Sequence, residues 1–288
     1  YEVEIVFSIE DKPLGTAGPL ALARDMIETE YFFVLNSDVI CLYPFRNLLL
    51  FHKSHGHEGT LMVTQVKEPS KYGVIISERN GRISRFVEKP EEFCGDKINA
   101  GIYCFSRAIL KRIEPVRTSI ETEVFPKMVL DGELFSYVLD GYWMDIGQPK
   151  DYLTGTCLHL SWIEEKSARD SRTPDPDYRP NTIVDESATI GERCQIGPNV
   201  VIGRNVVIED GVHLSRCVLF DGVHVKRGSF INSCIIGWDC MIGEWCRLEE
   251  SCVLEKNVRV ADGIHMLGAT VCSHKNVNKH VREPTCIL

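Results

Sequence analysis

The 288-residue sequence predicts an α/β domain followed by a left-handed parallel β-helix, and three features carry that expectation. Up to about Ile163, β-rich runs alternate with helical ones, the pattern of strands joined by crossover helices in a largely parallel sheet. Residues Lys166 to Pro180 are charged, carry three prolines and lack periodicity, which is linker composition. From Val184 onward an aliphatic residue returns at every sixth position, so that each six-residue unit forms one side of a triangular coil. Domains are therefore expected at 1–163 and 182–288, the second ending in a C-terminal tail, with a linker at 164–181.

Taken in order, the chain opens on Val3, Ile5, Phe7 and Ile9, an alternating, strand-like stretch, so the sequence is expected to begin inside a fold. Thr16 to Ile27 reads as a helix after a Gly turn. Tyr31 to Leu35 is a short apolar run ending in Asn36-Ser37-Asp38, a buried strand that delivers polar residues at its carboxyl end, where ligands of open α/β sheets bind. Phe45 to His55 reads as the next helix. Further strands are expected at Gly59 to Val66, Gly73 to Ser77, Ile83 to Val87, Gly101 to Phe105 and Phe135 to Leu139.

In the second half, Val184, Ile190, Ile196, Ile202, Ile208 and Leu214 share one register. Leu219, Val225 and Ile231 share a second, and Ile236, Ile242, Leu248, Leu254 and Val260 a third. Each change of register is a single deletion at a corner. Gly191, Gly197, Gly203, Gly237 and Gly243 follow aliphatic positions, where a tight turn is expected to need a residue without a Cβ. Four residues after the aliphatic position stand Cys194, Val200, Val206, Val212, Cys240, Cys246, Cys252 and Val258. Cys thus alternates with Val as a small apolar corner filler, rather than forming a metal or redox ladder.

Composition narrows the partners. With 44% hydrophobic and 25% charged residues the chain is an ordinary globular protein, and its formal charge of −9 argues against a broad electrostatic grip on nucleic acid or anionic lipid. No run approaches the ~18 apolar residues of a membrane span, and Tyr1 to Ile9 lack the regions of a signal peptide. Twelve cysteines without a Cys-x-x-Cys pair are expected to be reduced thiols, and the protein to be cytoplasmic.

Three constellations carry chemistry. Pro13-Leu14-Gly15-Thr16-Ala17-Gly18 is a Gly-containing turn running into a helix, which presents backbone N–H groups to an anion or a base edge, or else is a plain strand-to-helix turn. Asp38 and Asp145 suit a Mg²⁺ shared with phosphate oxygens, since this ion takes only one or two protein carboxylates, or else both cap helices. In Arg85-Phe86-Val87-Glu88-Lys89-Pro90, followed by Asn99-Ala100-Gly101, Lys89 can meet a phosphate as a point charge while Asn99 bonds a hydroxyl, or the Glu-Lys pair is solvated surface. His52, His55 and His57 read as a wet helix end, Cys272-x-His274 with His280 is equally weak, and none is assigned a ligand role.

In order, Pro13 to Gly18, Leu35-Asn36-Ser37-Asp38, Lys71-Tyr72-Gly73, Phe86 to Pro90, Ile98-Asn99-Ala100-Gly101 and Trp143-Met144-Asp145-Ile146-Gly147 resemble the sugar-1-phosphate nucleotidylyltransferases, with the catalytic beta type of mannose-1-phosphate guanylyltransferase nearest. The resemblance implies a Rossmann-like first domain and a reaction in which mannose 1-phosphate attacks the α-phosphorus of GTP, giving GDP-mannose and pyrophosphate. It implies Asp38, Lys89 and Asp145 as catalytic residues, with Asp38 and Asp145 holding Mg²⁺. Leu14, Gly15, Thr16 and Ala17 would lie against guanine and ribose, Gly73, Glu88 and Asn99 would line the sugar pocket, and Asn36 joins them as substrate-binding. It also implies a Gly-rich, Arg-bearing loop ahead of Pro13. No Gly-x-Gly-Thr-Arg motif occurs here, so these 288 residues alone are expected to turn over slowly. Homo-oligomers, or a complex with an alpha-type regulatory subunit, are the expected partners. The alternatives are that the chain is itself the non-catalytic alpha type, or a sister enzyme with another nucleotide or sugar. An acyltransferase built on His213, His224 or His265 of the β-helix is the weaker reading.

Overall fold

The structure, a computed structural model, describes residues 3–169 and 181–288. The chain divides into two units, Tyr1–Trp143 and Met144–Leu288.

In the first unit, β1 (Tyr31–Leu35), β2 (Val39–Cys41), β3 (Gly59–Gln65), β4 (Gly73–Ser77), β5 (Ile83–Glu88), β6 (Lys97–Ser106) and β7 (Leu134–Val138) are joined by α1 (Gly18–Leu22), α2 (Phe45–His55) and α3 (Phe125–Asp131). The expected strands are present, but the sheet is mixed rather than largely parallel. Its order is β5-β4-β6-β3-β7, with β1 also on β6, and of these pairs only β3 with β7 is parallel. The ten-residue β6 causes this: it runs against β3, β4 and β1 alike, so three connections close antiparallel pairs instead of crossovers. Apolar side chains pack on both faces. Leu61, Val63, Ile75, Tyr103, Phe105 and Phe125 form one buried cluster, and Val39, Leu48, Met62, Ile102 and Leu139 another.

Three local expectations change. The stretch from Val3 to Ile9 is exposed coil and, among the described residues, pairs with no strand. The helix expected at Thr16 to Ile27 is only Gly18–Leu22, followed by a 3₁₀ turn at Arg24–Met26, because the Arg24 guanidinium is drawn to the carbonyls of Leu110 and Ile113 at 2.8 and 2.6 Å. The end of α2 is not a wet helix end. His52 is fully buried, its Nδ1 lies 2.8 Å from Thr60 Oγ1, and His55 Nε2 lies 2.7 Å from the same hydroxyl, while His55 stacks on Phe135. Burial holds both imidazoles down at about 4, so they are neutral at pH 7.

The second unit begins at the end of β8 (Trp143–Asp145) and continues through α4 (Pro149–Arg169), which extends past Glu164 into the stretch read as linker; residues 170–180 of that stretch lie outside those described. Its solenoid is built from three parallel sheets of six, five and seven short strands. Ile190, Ile208, Val225, Ile242, Val260 and Val277 stack as successive Cα partners, so a coil takes 18 or 17 residues. Two of the three shorter coils hold the two expected register changes, and the third holds a further one, from Met266 to Val271, that is absent from the expected pattern. From Ile202 onward the aliphatic column is buried and continuous; in the first coil Val184 and Ile196 are only partly buried and Ile190 is exposed. The corner fillers Val200, Val206, Val212, Cys240, Cys246, Cys252 and Val258 are buried with it, and Cys194 packs against it in the first coil. Thiols do more than fill: Cys240 and Cys246 donate to the carbonyls of Glu255 and Ala261 at 2.8 and 3.1 Å. All twelve cysteines are free thiols.

Of the five glycines after aliphatic positions, Gly197 has the left-handed backbone (φ 102°) expected of a tight turn, whereas Gly191, Gly203, Gly237 and Gly243 have a different reason. At Gly203 a Cβ would lie 2.6 Å from Asp221 Oδ1, so Gly makes room for the next coil, and Asp221 Oδ1 accepts from Arg204 N at 2.8 Å. The left-handed turn position falls two residues later, at Asn205 (φ 54°), Arg193 and Trp245.

Candidate functional site

The residues singled out in the first unit gather at three neighbouring places. At the end of β1, Asn36 N donates to the Gly101 carbonyl at 2.8 Å, and Gly101 N donates to Asn99 Oδ1 at 3.1 Å. Gly101 has φ +74°, and a Cβ there would lie 2.8 Å from Asn36 Nδ2, so only Gly lets the two asparagine side chains share this spot. Asn99 Nδ2 donates to the Tyr103 hydroxyl at 2.8 Å. Burial pushes the Tyr103 phenol well up, so it remains protonated.

The second place is the β4–β5 ladder, where Gly73 is the Cα partner of Glu88. A Cβ on Gly73 would lie 2.7 Å from Glu88 Oε2 and from the Phe86 ring, so the missing side chain is what lets the Glu88 carboxylate fold across the strand. Burial first and the Glu121 carboxylate second push the Glu88 carboxyl above its usual range, while Lys89 pulls it back. Lys89 follows with φ 44°, a left-handed conformation uncommon for a residue with a Cβ, and it is held there by its N–H donating to the Tyr72 carbonyl at 3.1 Å. Its ammonium is exposed, 3.9 Å from Glu88 Oε1.

The third place is the turn at Leu14 to Ala17. Thr118 N donates to the Leu14 carbonyl and Ala17 N to the Thr118 carbonyl, each at 3.0 Å, while Gly15 and Thr16 remain exposed. Thr16 Oγ1 donates to Glu121 Oε2 at 2.7 Å. The Glu121 carboxylate also raises the pKa of both Glu88 and Tyr103, so the three places share one electrostatic neighbourhood.

Asp38 is exposed beyond β1 in the first unit; Asp145 is half-buried at the end of β8 in the second, its Oδ1 accepting from Gly147 N at 3.0 Å. Carboxylate oxygens are the donors a hard divalent ion takes. Among the described residues no group of three or more His, Cys, Asp or Glu could hold a metal ion.

Sequence reading missed Glu121 and Tyr103. A signal for Glu121 exists: Ser119 Oγ accepts from Thr122 N, and Ser119 N donates to Glu123 Oε1, a reciprocal cap that marks a helical start and puts Glu121 in its first turn. Tyr103 reads as core from sequence, and it is fully buried.

Comparison with known proteins accounts for the whole chain. A family model described as nucleotidyl transferase matches residues 1–161, and one described as GMPPB C-terminal domain matches residues 178–287. The chain is 51% identical over its full length to a mannose-1-phosphate guanyltransferase of Hypocrea jecorina, covering 81% of that protein. It is 50% identical over 99% of its length to a mannose-1-phosphate guanylyltransferase catalytic subunit beta of Danio rerio, covering 80% of it. A mannose-1-phosphate guanyltransferase of Schizosaccharomyces pombe is 51% identical over the full chain, with 80% covered. With a Rossmann-like α/β domain followed by a parallel β-solenoid, and with relatives at this identity along its whole length, the chain belongs to the mannose-1-phosphate guanylyltransferase family of nucleotidyl transferases.

Proposed function

We propose that this protein transfers GMP from GTP to mannose 1-phosphate, giving GDP-mannose and pyrophosphate. An oxygen of the sugar phosphate attacks the α-phosphorus of GTP, a new P–O bond forms, and the bond to the bridging oxygen breaks as pyrophosphate leaves. No side-chain nucleophile is needed, so rate comes from alignment and from cancelling charge on the phosphates. The observation that carries the reading is Lys89, an exposed ammonium locked in a left-handed turn beside Glu88, within the same electrostatic neighbourhood as Asn99. In this reading Lys89 binds the sugar phosphate, and Gly73, Glu88 and Asn99 line the sugar pocket. Asn36 and the Leu14 to Ala17 turn meet the nucleotide, and Asp38 and Asp145 supply the carboxylates for Mg²⁺. A bound divalent ion supplies charge neutralisation on phosphate oxygens.

Residues 1–163 would carry the chemistry and 182–288 the assembly, as homo-oligomers or with an alpha-type regulatory subunit. No described helix is long and apolar enough to cross a membrane, and a cytoplasmic setting is proposed. The test is pyrophosphate release with each of the four nucleoside triphosphates against mannose 1-phosphate and other hexose 1-phosphates, read as ratios. GTP with mannose 1-phosphate should lead by at least tenfold. Another leading pair, or equal rates, overturns the substrate assignment.

A further inference from the structure

We infer that Glu121 is a positioning residue for the nucleotide: it acts through the Thr16 hydroxyl to fix the Leu14 to Ala17 turn in its ligand-facing shape. The inference rests on the reading of that turn as nucleotide-binding. Nothing in the chemistry of transfer requires Glu121, and its role follows from how the turn is docked.

Four contacts fasten the turn to the segment from Val116 to Glu121. Two are the backbone pairs of Thr118 with Leu14 and Ala17. The other two meet at one hydroxyl, where Thr16 Oγ1 accepts from Ile120 N at 2.9 Å and donates to Glu121 Oε2 at 2.7 Å. The approach is close enough that a Cβ at Gly15 would lie 2.5 Å from the Thr118 carbonyl oxygen, and one at Gly18 would lie 2.5 Å from that of Val116. A turn docked this tightly has no room to reset itself, so the direction of the exposed Gly15 and Thr16 is decided by the segment beneath.

That segment is itself unusual. Ile120–Val124 is a single π-helical turn placed ahead of α3, a geometry rare in general and frequent at functional sites. It aims Glu121 sideways at Thr16, while Ser119 Oγ donates to the same Oε2 at 3.0 Å and holds the carboxylate in place. Two hydroxyl donors converging on one carboxylate oxygen make charge-assisted bonds, about twice as strong as neutral ones. The carboxylate also lies near enough to Glu88 and Tyr103 to be felt by both.

The experiment is a double-mutant cycle on Thr16 and Glu121, read by calorimetric titration of the nucleoside triphosphate with Mg²⁺ and, in parallel, of mannose 1-phosphate. Of the four triphosphates, the one the unmodified protein binds best is used, so a wrong base assignment is visible before the cycle begins. Thr16→Val and Glu121→Ala should each weaken nucleotide binding about tenfold, and the double variant should be no weaker than about twentyfold. Glu121→Gln, which keeps an acceptor for Thr16, should recover to within about threefold. Mannose 1-phosphate affinity should move less than threefold throughout. Multiplicative effects in the double variant, a Glu121→Gln as weak as Glu121→Ala, or a loss confined to the sugar phosphate would each overturn the inference. A protein that binds none of the four triphosphates overturns the underlying reading as well.

Discussion

In the solenoid, a buried side chain meets its counterpart one coil away, 17 or 18 residues along the chain, whereas in the α/β unit Thr16 reaches across 105 residues to Glu121. The first kind of contact repeats, so every coil restates the same requirement and one substitution disturbs one layer. The second is made once. A site assembled from unique long-range contacts has no periodic trace in the sequence, and its tolerance to change is correspondingly lower. The division follows from physics: stacked repeats share a nearest-neighbour core, while a mixed sheet gathers its ligand groups from the ends of separate strands.

The largest effect that can break this contrast belongs to Asp38. Asp38→Asn keeps size and polarity and removes the charge proposed for the metal, so turnover should fall by about 10²-fold or more, with melting temperature nearly unchanged. Leu248→Ala, fully buried in the solenoid, should leave kcat within about twofold in the same pyrophosphate-release assay. If Asp38→Asn stays within threefold of the unmodified protein, the residue is no metal ligand and the regulatory alpha-type reading gains. If Leu248→Ala removes turnover, the two regions are not functionally separable.

The next effect concerns stability itself. Leu61 and Leu248 are both fully buried, one in each unit, and truncation of either to Ala should cost roughly 2–5 kcal/mol. The consequences should differ in extent. Hydrogen exchange in Leu248→Ala should rise in the coils that hold its Cα partners, Ile231 and Met266, and leave distant coils protected, as expected of a one-dimensional stack. In Leu61→Ala it should rise throughout the sheet that β6 ties together. Uniform exchange across all coils of Leu248→Ala would remove the basis of the comparison.

The same contrast explains what was legible in the sequence. The aliphatic columns, two of the three five-residue register changes and the packing role of the cysteines were legible, because the pattern is restated coil after coil; the step from Met266 to Val271, near the end of the array, was not. Strand existence in the α/β unit was legible too, as alternating and apolar runs. Strand direction was not: nothing local to Lys97–Ser106 tells that it runs against three partners. Gly203 was recognisable as significant but for the wrong reason, since the Asp221 that crowds it lies one coil on. At the candidate site, motif order singled out Asn36, Gly73, Glu88, Lys89 and Asn99 as candidates. Glu121 was hidden because its meaning depends on where Thr16 arrives. His52 looked like one more polar residue at a helix end, and only the packing of β3 beneath it shows otherwise.

That histidine pair gives a pH dependence confined to the α/β unit. The folded values of His52 and His55, about 4, lie below the ordinary 6.5, so between those limits the unfolded chain binds protons that the native state refuses. Stability should therefore fall as pH drops from 6.5 toward 4, with a slope of up to about 1.4 kcal/mol per pH unit for each ring, and these rings add no slope above that window. Thermal melts from pH 7.5 to 4.5 check it. His52→Gln should shift the whole curve down yet flatten it in this window, and an unchanged slope would show that His52 does not titrate there.

The smallest effect is expected where sequence made its most repetitive claim. Cys246 fills a solenoid corner with its thiol donating to the Ala261 carbonyl, and Val occupies the corresponding corners at 206, 212 and 258. Cys246→Val gives up one weak donor, worth at most about 1 kcal/mol, and adds apolar volume that the neighbouring layers already accommodate. The two terms oppose each other, so the urea midpoint should move by less than the equivalent of about 1.5 kcal/mol in either direction. Cys246→Ser is the sharper control, because it keeps a donor of similar reach but removes apolar volume and buries a hydroxyl. It should be clearly worse than Val if packing decides, and clearly better if the hydrogen bond to Ala261 decides. A Val variant that loses more than 3 kcal/mol while Ser is tolerated would make the thiol column a hydrogen-bonding spine, and the solenoid would then share with the α/β unit a dependence on individual polar contacts.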